Sequence, residues 1–322
     1  MKIKEIINPE DKIKYSKLAK EISVIFNTLE WLKIFGNKVK IFGIYENEED
    51  LMGGFCLYEE RRFCFKIYRN LPFTPCVGPF FQNKAQNPVT IMGNLKKVID
   101  LMAEAMGKLS YSVVSISLNR NIKDTQPFIW KKFKVIPGYT YILDLKKPSE
   151  IILNEMSKER RNDIVRAIKD KLSVRQVSDF EIVKSLVLKT FLRQKKKINT
   201  YYLDKILFEF ANENNSFAFV VFKNKMPLVA TFCVFDGNIA YYLLGGYDYG
   251  YKHHGAGPLA IWEAIKHSRR LGLKYFDFEG SMIPHVEKYF RGFGGILTPY
   301  YKVNKAKLPL EIVLKFFKRE LF

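Results

Sequence analysis

The sequence has few cysteines, no long apolar run and a shortage of acid, and each deficit excludes something. The four cysteines among 322 residues, Cys56, Cys64, Cys76 and Cys233, form no close pair. Neither a zinc site nor a secreted disulfide framework is therefore expected, and buried reduced thiols are the plain reading. No stretch reaches the roughly 18 consecutive apolar residues of a membrane-spanning helix. The opening Met1-Lys2-Ile3-Lys4-Glu5 carries no apolar signal core, so a cytoplasmic location is the expectation. Zinc-protease, C-x-x-C, nucleophile-elbow and Walker spacings are all missing, which leaves no metal site and no serine nucleophile to expect. Asp and Glu number 33 against 53 Lys and Arg, a net charge of +20. That excess favours anionic partners: nucleic acid, acidic lipid headgroups, or nucleotide and diphosphate substrates.

What is present is a globular chain, 48% apolar and long enough for about two domains. A rough apolar face predicts a helix over Lys12–Asn27. Alternation predicts strands over Lys38–Tyr45, Leu51–Tyr58 and Arg62–Tyr68, the last with Phe63, Phe65 and Ile67 on one face. A proline-rich loop, a helix over Leu95–Leu109, a strand over Tyr111–Leu118, a short aromatic helix at Phe128–Phe133 and a strand over Tyr139–Leu145 follow. The second half repeats the order. Helices are predicted after Pro148, after a capping Ser157, over Asp179–Leu192 and over Thr200–Asn212. A three-strand meander (Phe217–Phe222, Leu228–Phe235, Asn238–Leu244) leads to a helix over Pro258–Leu271. Strand Tyr275–Phe278, helix Val286–Phe293 and strand Thr298–Val303 complete it. The expectation is a duplicated α/β unit, with domains at 1–147 and 148–305 and an amphipathic basic helix at 306–322. That tail, with Ile312, Val313, Phe316, Phe317, Leu321 and Phe322 beside Lys315, Lys318 and Arg319, is expected to pack on the body or a partner subunit. Peripheral membrane contact is the other reading.

Three segments carry residues suited to chemistry. In the first, Tyr241–Gly246 ends a strand and Lys252-His253-His254-Gly255-Ala256-Gly257-Pro258 opens a helix, a geometry that can hold a phosphate or carboxylate. An ordinary glycine-rich turn is the alternative. In the second, alternation puts Phe276 and Phe278 on one face and Asp277 and Glu279 on the other. Paired carboxylates at a strand end can supply a base, or can cap backbone or pair with a cation. Arg291, between aromatic residues and a glycine pair, suits a phosphate or a developing oxyanion, with an ion pair to Asp277 or Glu279 as its structural role. In the third, Met156–Lys169, Arg161 shares a predicted face with Ile164, Val165 and Ile168, whereas Arg160 and Arg166 point outward. The run Arg193–Lys197 reads as a solvated face, with RNA contact as the alternative.

Lys252-x-x-Gly255-x-Gly257 resembles the coenzyme A pyrophosphate loop of the GNAT acyltransferases, with Lys where Arg or Gln is usual. The three segments in order, with Trp262-Glu263-Ala264-Ile265, Phe276–Ser281 and Phe290-Arg291-Gly292-Phe293-Gly294-Gly295 through Tyr300, resemble the Fem family of peptidoglycan interpeptide-bridge aminoacyltransferases. The likeness is strongest over Pro137–Tyr300 and diffuse in the N-terminal half, near Phe26–Trp31. It implies two tandem GNAT-like domains, each a mixed, largely antiparallel sheet flanked by helices, with a cleft between them. It also implies transfer of an amino acid from aminoacyl-tRNA to an amine on a peptidoglycan precursor, with no tightly bound cofactor. Relatives that use acyl-CoA on an amino sugar, amino acid or lipid-linked amine give the alternative, and a non-catalytic binding protein that keeps the fold is the third reading. The segment between Leu192 and Phe217 is too short for the coiled-coil arm that many tRNA-using members carry. By resemblance, Phe290-Arg291 meets the donor end or steadies the transition state. Arg161, with Arg160 as second choice, grips the precursor's diphosphate, and Lys33 is a weaker match for a diphosphate contact in the first domain. Tyr242, Lys252, Gly255 and Gly257 complete the binding set, and Asp277 or Glu279 orients or deprotonates the amine. Partners implied are the anionic amine acceptor, tRNA and the cytoplasmic membrane face. The reading requires the glycine-bounded helix start and Arg291 to open onto one groove.

Overall fold

A computed structural model describes residues 1–280 and 282–318; Ser281, and the Arg319, Leu321 and Phe322 expected in the tail helix, lie outside them. The chain forms two compact units, Met1–Gly138 with Pro299–Phe322, and Tyr139–Thr298.

In the first unit, β1 (Lys2–Glu5), β2 (Val39–Tyr45), β3 (Leu51–Arg62) and β4 (Phe65–Arg69) pair in sequence as an antiparallel sheet. A short β5 (Phe80–Phe81) lies on β3. β6 (Val113–Ser117) then joins β4 in parallel, and β13 (Ile296–Ala306) closes the order antiparallel to β6. Parallel pairing needs a crossover element. Here it is α3 (Pro88–Lys108), started by Asn87, whose side chain accepts from Val89 and Thr90 N–H, and by Pro88 at its first position. It buries Val98, Ile99, Met102, Ala103 and Met106, one helical stripe. Three shorter helices, α1 (Pro9–Ile22), α2 (Leu29–Lys33) and α4 (Gln126–Trp130), complete the unit's described body.

The second unit repeats this order. β8 (Ser173–Val177), β9 (Ser216–Lys223), β10 (Met226–Phe235) and β11 (Ile239–Tyr247) are antiparallel neighbours. β12 (Tyr275–Asp277) joins β11 in parallel after the crossover helix α9 (Ala256–Arg270), and β7 (Lys134–Asp144) closes antiparallel to β12. Helices α5 (Ser149–Glu155), α6 (Lys158–Lys169), α7 (Phe180–Arg193), α8 (Thr200–Asp204) and α10 (Pro284–Arg291) complete it. The architecture is therefore mixed α/β, with largely antiparallel sheets flanked by helices, and no long coiled coil stands among the described residues. The last strand of each unit comes from the other half of the sequence: β7 follows β6 in the chain but pairs with β12, and β13 follows β12 but pairs with β6. This exchange puts the compact borders at 138/139 and 298/299 instead of the expected 147/148 and 305/306.

Several local expectations need correction. In α1 the buried residues are Tyr15 and Ala19, while Ile13 is 71% exposed; the helix stops at Ile22 and a separate turn carries Ile25–Asn27. Phe63 is the exposed tip of the β3–β4 hairpin, at φ 53, not a strand residue. Its neighbour Cys64 is exposed and Cys76 half-buried; Cys56 and Cys233 alone are buried thiols. The predicted helix over Thr200–Asn212 is α8 followed by a wider π turn, Lys205–Phe210. The edge strand β8 was not expected. The tail helix is α11 (Leu308–Phe317).

Candidate active site

The site of the second unit is built where β11 outruns its parallel partner. Pairing covers only Ile239–Tyr241 against Tyr275–Asp277, yet β11 continues to Tyr247. At the parting point the β10–β11 register shifts, Phe232 facing Leu244 and Cys233 facing Tyr242. A bulge re-aims the strand there, and Tyr242 is the residue beside it. The β12 chain leaves through Glu279 and Gly280, both left-handed at φ 59 and 60. A Cβ on Gly280 would lie 2.1 Å from the Tyr139 carbonyl oxygen, so only glycine fits.

Aromatic rings fill the parting. Phe290 of α10 meets Tyr242 edge-on at 5.8 Å and Phe278 at 5.5 Å, and Phe278 also packs on Phe293 at 5.4 Å. Phe290 is thus a core residue, and Phe276 and Phe278 are buried as the alternation predicts. Burial pushes the Tyr242 and Tyr289 hydroxyls well above the ordinary phenol range, so both are neutral donors.

The start of α9 faces protein. A Cβ on Gly255 would lie 2.1 Å from the Asp163 carbonyl oxygen and 2.9 Å from Ala167 Cβ, so this glycine lets α9 and α6 touch. A Cβ on Gly257 would lie 2.8 Å from the Tyr289 hydroxyl oxygen. The first amides are already engaged: Gly255 N–H donates to His253 Nδ1 at 3.1 Å and Ala256 N–H to the His253 carbonyl at 3.2 Å. His253 Nε2 in turn meets Asp170 at 3.0 Å. Lys252 is exposed on a groove of about 440 Å³ shared with Lys223 and His253.

The arginines of α6 reverse the expected roles. Ser157 accepts from Arg160 N–H, the cap the sequence predicts. The buried arginine is Arg160, at 8% exposure. Its guanidinium lies 4.7 Å over the Tyr289 ring and bridges Glu159 at 2.8 Å and Asp163 at 2.5 Å. Desolvation raises the Asp163 carboxyl, opposed by the Arg160 charge. Arg161 donates through Nη1 to the Asn154 and Met156 carbonyls at 2.6 and 2.9 Å, tying down the end of α5. Of its expected apolar face only Ile164 is buried; Val165 and Ile168 are exposed. Arg166 is exposed as expected.

At the end of α10, Arg291 Nε pairs with Glu287 at 3.0 Å, with its side chain 61% exposed. Glu287 also accepts from the Tyr141 hydroxyl, and Tyr141 is pushed up to about 12 by burial and by that carboxylate. Tyr141 and Glu287 are members of the site that sequence reasoning missed. Arg291 does not pair with Asp277 in the arrangement expected for a buried pair. Asp277, 5% exposed, accepts instead from Thr140 Oγ1 at 2.6 Å and Glu279 N–H at 2.9 Å, holding the turn after β12. The α9 start and Arg291 do not share the groove the sequence predicts, so the α9 start is no part of a site built on Arg291. Tyr289 faces Gly257 and Arg160, whereas Arg291, two residues on and so about 200° around α10, faces Glu287 and Tyr141.

In the first unit Lys33 ends α2 and is exposed. It lines a separate groove of about 530 Å³ with Lys12, Leu32 and Asn37. Among the described residues no three His, Cys, Asp or Glu side chains are placed to hold a metal, and no helix is long and apolar enough to cross a membrane.

Residues 192–291 match the family model described as an acetyltransferase (GNAT) domain. A search of curated protein sequences returns no match. Among solved structures, FemX superposes with a TM-score of 0.69 at 13% identity, covering 98% of this chain and 100% of that one. L-PGS from Bacillus licheniformis gives 0.58 at 11%, covering 98% and 97%. A tandem GNAT protein from the clavulanic acid biosynthesis pathway gives 0.55 at 8%, covering 94% and 98%. At these identities the structures establish the fold. The domain matched over residues 192–291 makes this chain an acyltransferase, and the superpositions show a tandem GNAT-like, Fem-like fold.

Proposed function

We propose that the protein forms an amide by moving an aminoacyl group from aminoacyl-tRNA to an amine of a peptidoglycan precursor. The observation that carries this reading is the occupied start of α9. His253 takes the first amides, Asp163 and Ala167 abut Gly255, and Tyr289 stands at Gly257. A pyrophosphate needs those amides open, so the donor is better matched to an ester carried on tRNA than to coenzyme A. The end-to-end likeness to FemX, over both halves, supports the same choice.

In the reaction the acceptor amine, once deprotonated, attacks the ester carbonyl carbon. The C–N bond forms, the bond to the ribose oxygen breaks, and that oxygen leaves with a proton. Negative charge develops on the carbonyl oxygen in between. Arg291 is suited to meet it: Glu287 holds Nε, Tyr141 holds Glu287, and the guanidinium is otherwise turned to solvent. The Arg291 side chain is 61% exposed, so a charge of this kind is worth about 2.7–4 kcal/mol in the transition state once bound substrates exclude water from it. Two carboxylate partners neutralise Arg160, which leaves Arg161 as the contact for an acceptor phosphate in this unit. Glu279, at the left-handed turn, is the carboxylate for orienting the amine, and Asp277 positions that turn.

The matched acetyltransferase domain favours one other reading, acyl-CoA as donor to an amine, since GNAT domains typically use acyl-CoA. Incubating the enzyme with a charged tRNA pool and a muropeptide nucleotide, then weighing the acceptor by mass spectrometry, tests the proposal. A mass gain of one amino acid residue is expected. No gain with charged tRNA, alongside an acetyl gain with acetyl-CoA, would overturn it in favour of the second reading.

A further inference from the structure

The tail helix α11 is docked on one side and bare on the other. Lys307 N–H donates to the Ser112 carbonyl at 3.0 Å, fixing the helix start on the first unit. Leu310, Glu311 and Leu314 are half-buried, and the Glu311 charge contributes to raising Tyr111. Leu314 lies at i+4 from Leu310 and at i+3 from Glu311, so the three share one face. The opposite face carries Leu308, Ile312 and Phe316 at i, i+4 and i+8, with Val313 beside them and Phe317 at the flank. Their exposures run from 48% to 81%. A helix already packed through one stripe has no folding reason for a second apolar stripe in water, and such patches mark interaction sites. Exposed Lys315 borders it along the helix, and exposed Lys307 and Lys318 stand at the two helix ends. The one acid on the helix, Glu311, lies on the docked side and pairs with Lys315 at 3.0 Å.

We propose that this face of α11 seats the protein on an anionic lipid bilayer, with Ile312 and Phe316 in the acyl boundary and the lysines among the headgroups. An apolar stripe bordered by lysine on a chain of net charge +20 fits an anionic interface. A second copy of the chain fits poorly. A ten-residue helix is about 15 Å long, so its face buries on the order of 200–300 Å² per partner, well under the roughly 800 Å² of a stable dimer. A two-fold contact would also bring like-charged lysines together. The inference does not depend on which donor the enzyme uses.

Vesicle flotation of the full chain tests it, with phosphatidylglycerol-containing and pure phosphatidylcholine vesicles. The wild type is expected to float with the anionic vesicles, less so in high salt, and hardly with the neutral ones. The double variant Ile312→Gln/Phe316→Gln should lose at least tenfold in partitioning while keeping its melting temperature. Lys307→Glu/Lys318→Glu, which leaves the apolar stripe intact, should lose the preference for anionic lipid. Wild-type protein that stays unbound with both vesicle types would overturn the proposal. So would a concentration-dependent dimer, seen by light scattering, that the glutamine variant abolishes while flotation is unchanged.

Discussion

Replacing Gly255 by Ala separates a glycine that makes room for a helix from one that makes room for a ligand. The added Cβ would stand 2.1 Å from the Asp163 carbonyl oxygen, about 1.3 Å inside ordinary contact, and 2.9 Å from Ala167 Cβ. The nearer atom is backbone within α6, so no side chain can swing away; α6 and α9 must part. Overpacking of this kind costs about 1–3 kcal/mol, and a rigid clash belongs at the upper end. For a unit the size of Tyr139–Thr298, each kcal/mol moves the midpoint by about 2–4 °C, so about 3 kcal/mol lowers it by roughly 6–12 °C. Gly237, at a turn with nothing within 4 Å of its would-be Cβ, is the control, and Gly237→Ala should melt with the wild type. Differential scanning calorimetry reads both. If Gly255→Ala melts with the wild type yet weakens half-saturation by the acyl donor, the packing argument is wrong and the loop is a ligand loop.

Arg160→Gln should destabilise by about 3 kcal/mol, because it leaves the largely buried Asp163 carboxylate without its cation; Arg161→Gln, which removes bonds at a partly exposed helix end, should cost about 1 kcal/mol in urea titrations. Arg291→Ala should change stability by less than about 0.5 kcal/mol, being a largely exposed pair, and slow turnover roughly 100-fold or more; intact turnover would remove Arg291 from the mechanism. His267, packed between Phe217 and Phe219, is held below the usual imidazole range by burial and by Arg270. Its folded state binds protons less readily than the unfolded one, so its contribution is present above about pH 6.5 and is lost as the pH falls below that value. Melting curves between pH 7 and 5 should therefore fall less steeply for His267→Gln than for the wild type.

Much of the fold was legible because alternation and helical stripes are local. The β9–β11 meander and the α9 stripe were placed within a few residues of where they stand. What was not legible depends on distant partners. The strand β8, Ser-Val-Arg-Gln-Val, has almost no apolar period and is held by its pairing with β9. Arg160 and Arg161 are neighbours on one helix, and Tyr289 and Gly292, far along the chain, make the first the buried one. A Gly-x-Gly before a helix reads the same whether a phosphate or another helix lies against it; here the neighbour is α6. The strand exchange that moves the unit borders has no local signal, because β7 and β13 are each ordinary strands whose partners lie in the other half of the sequence.

The most direct check of the donor assignment is equilibrium binding of coenzyme A followed by calorimetry. The occupied amides at the start of α9 predict no saturable, stoichiometric binding, and no change when Lys252 is replaced by Ala. Stoichiometric binding that Lys252→Ala abolishes would contradict the account and return the donor to acyl-CoA.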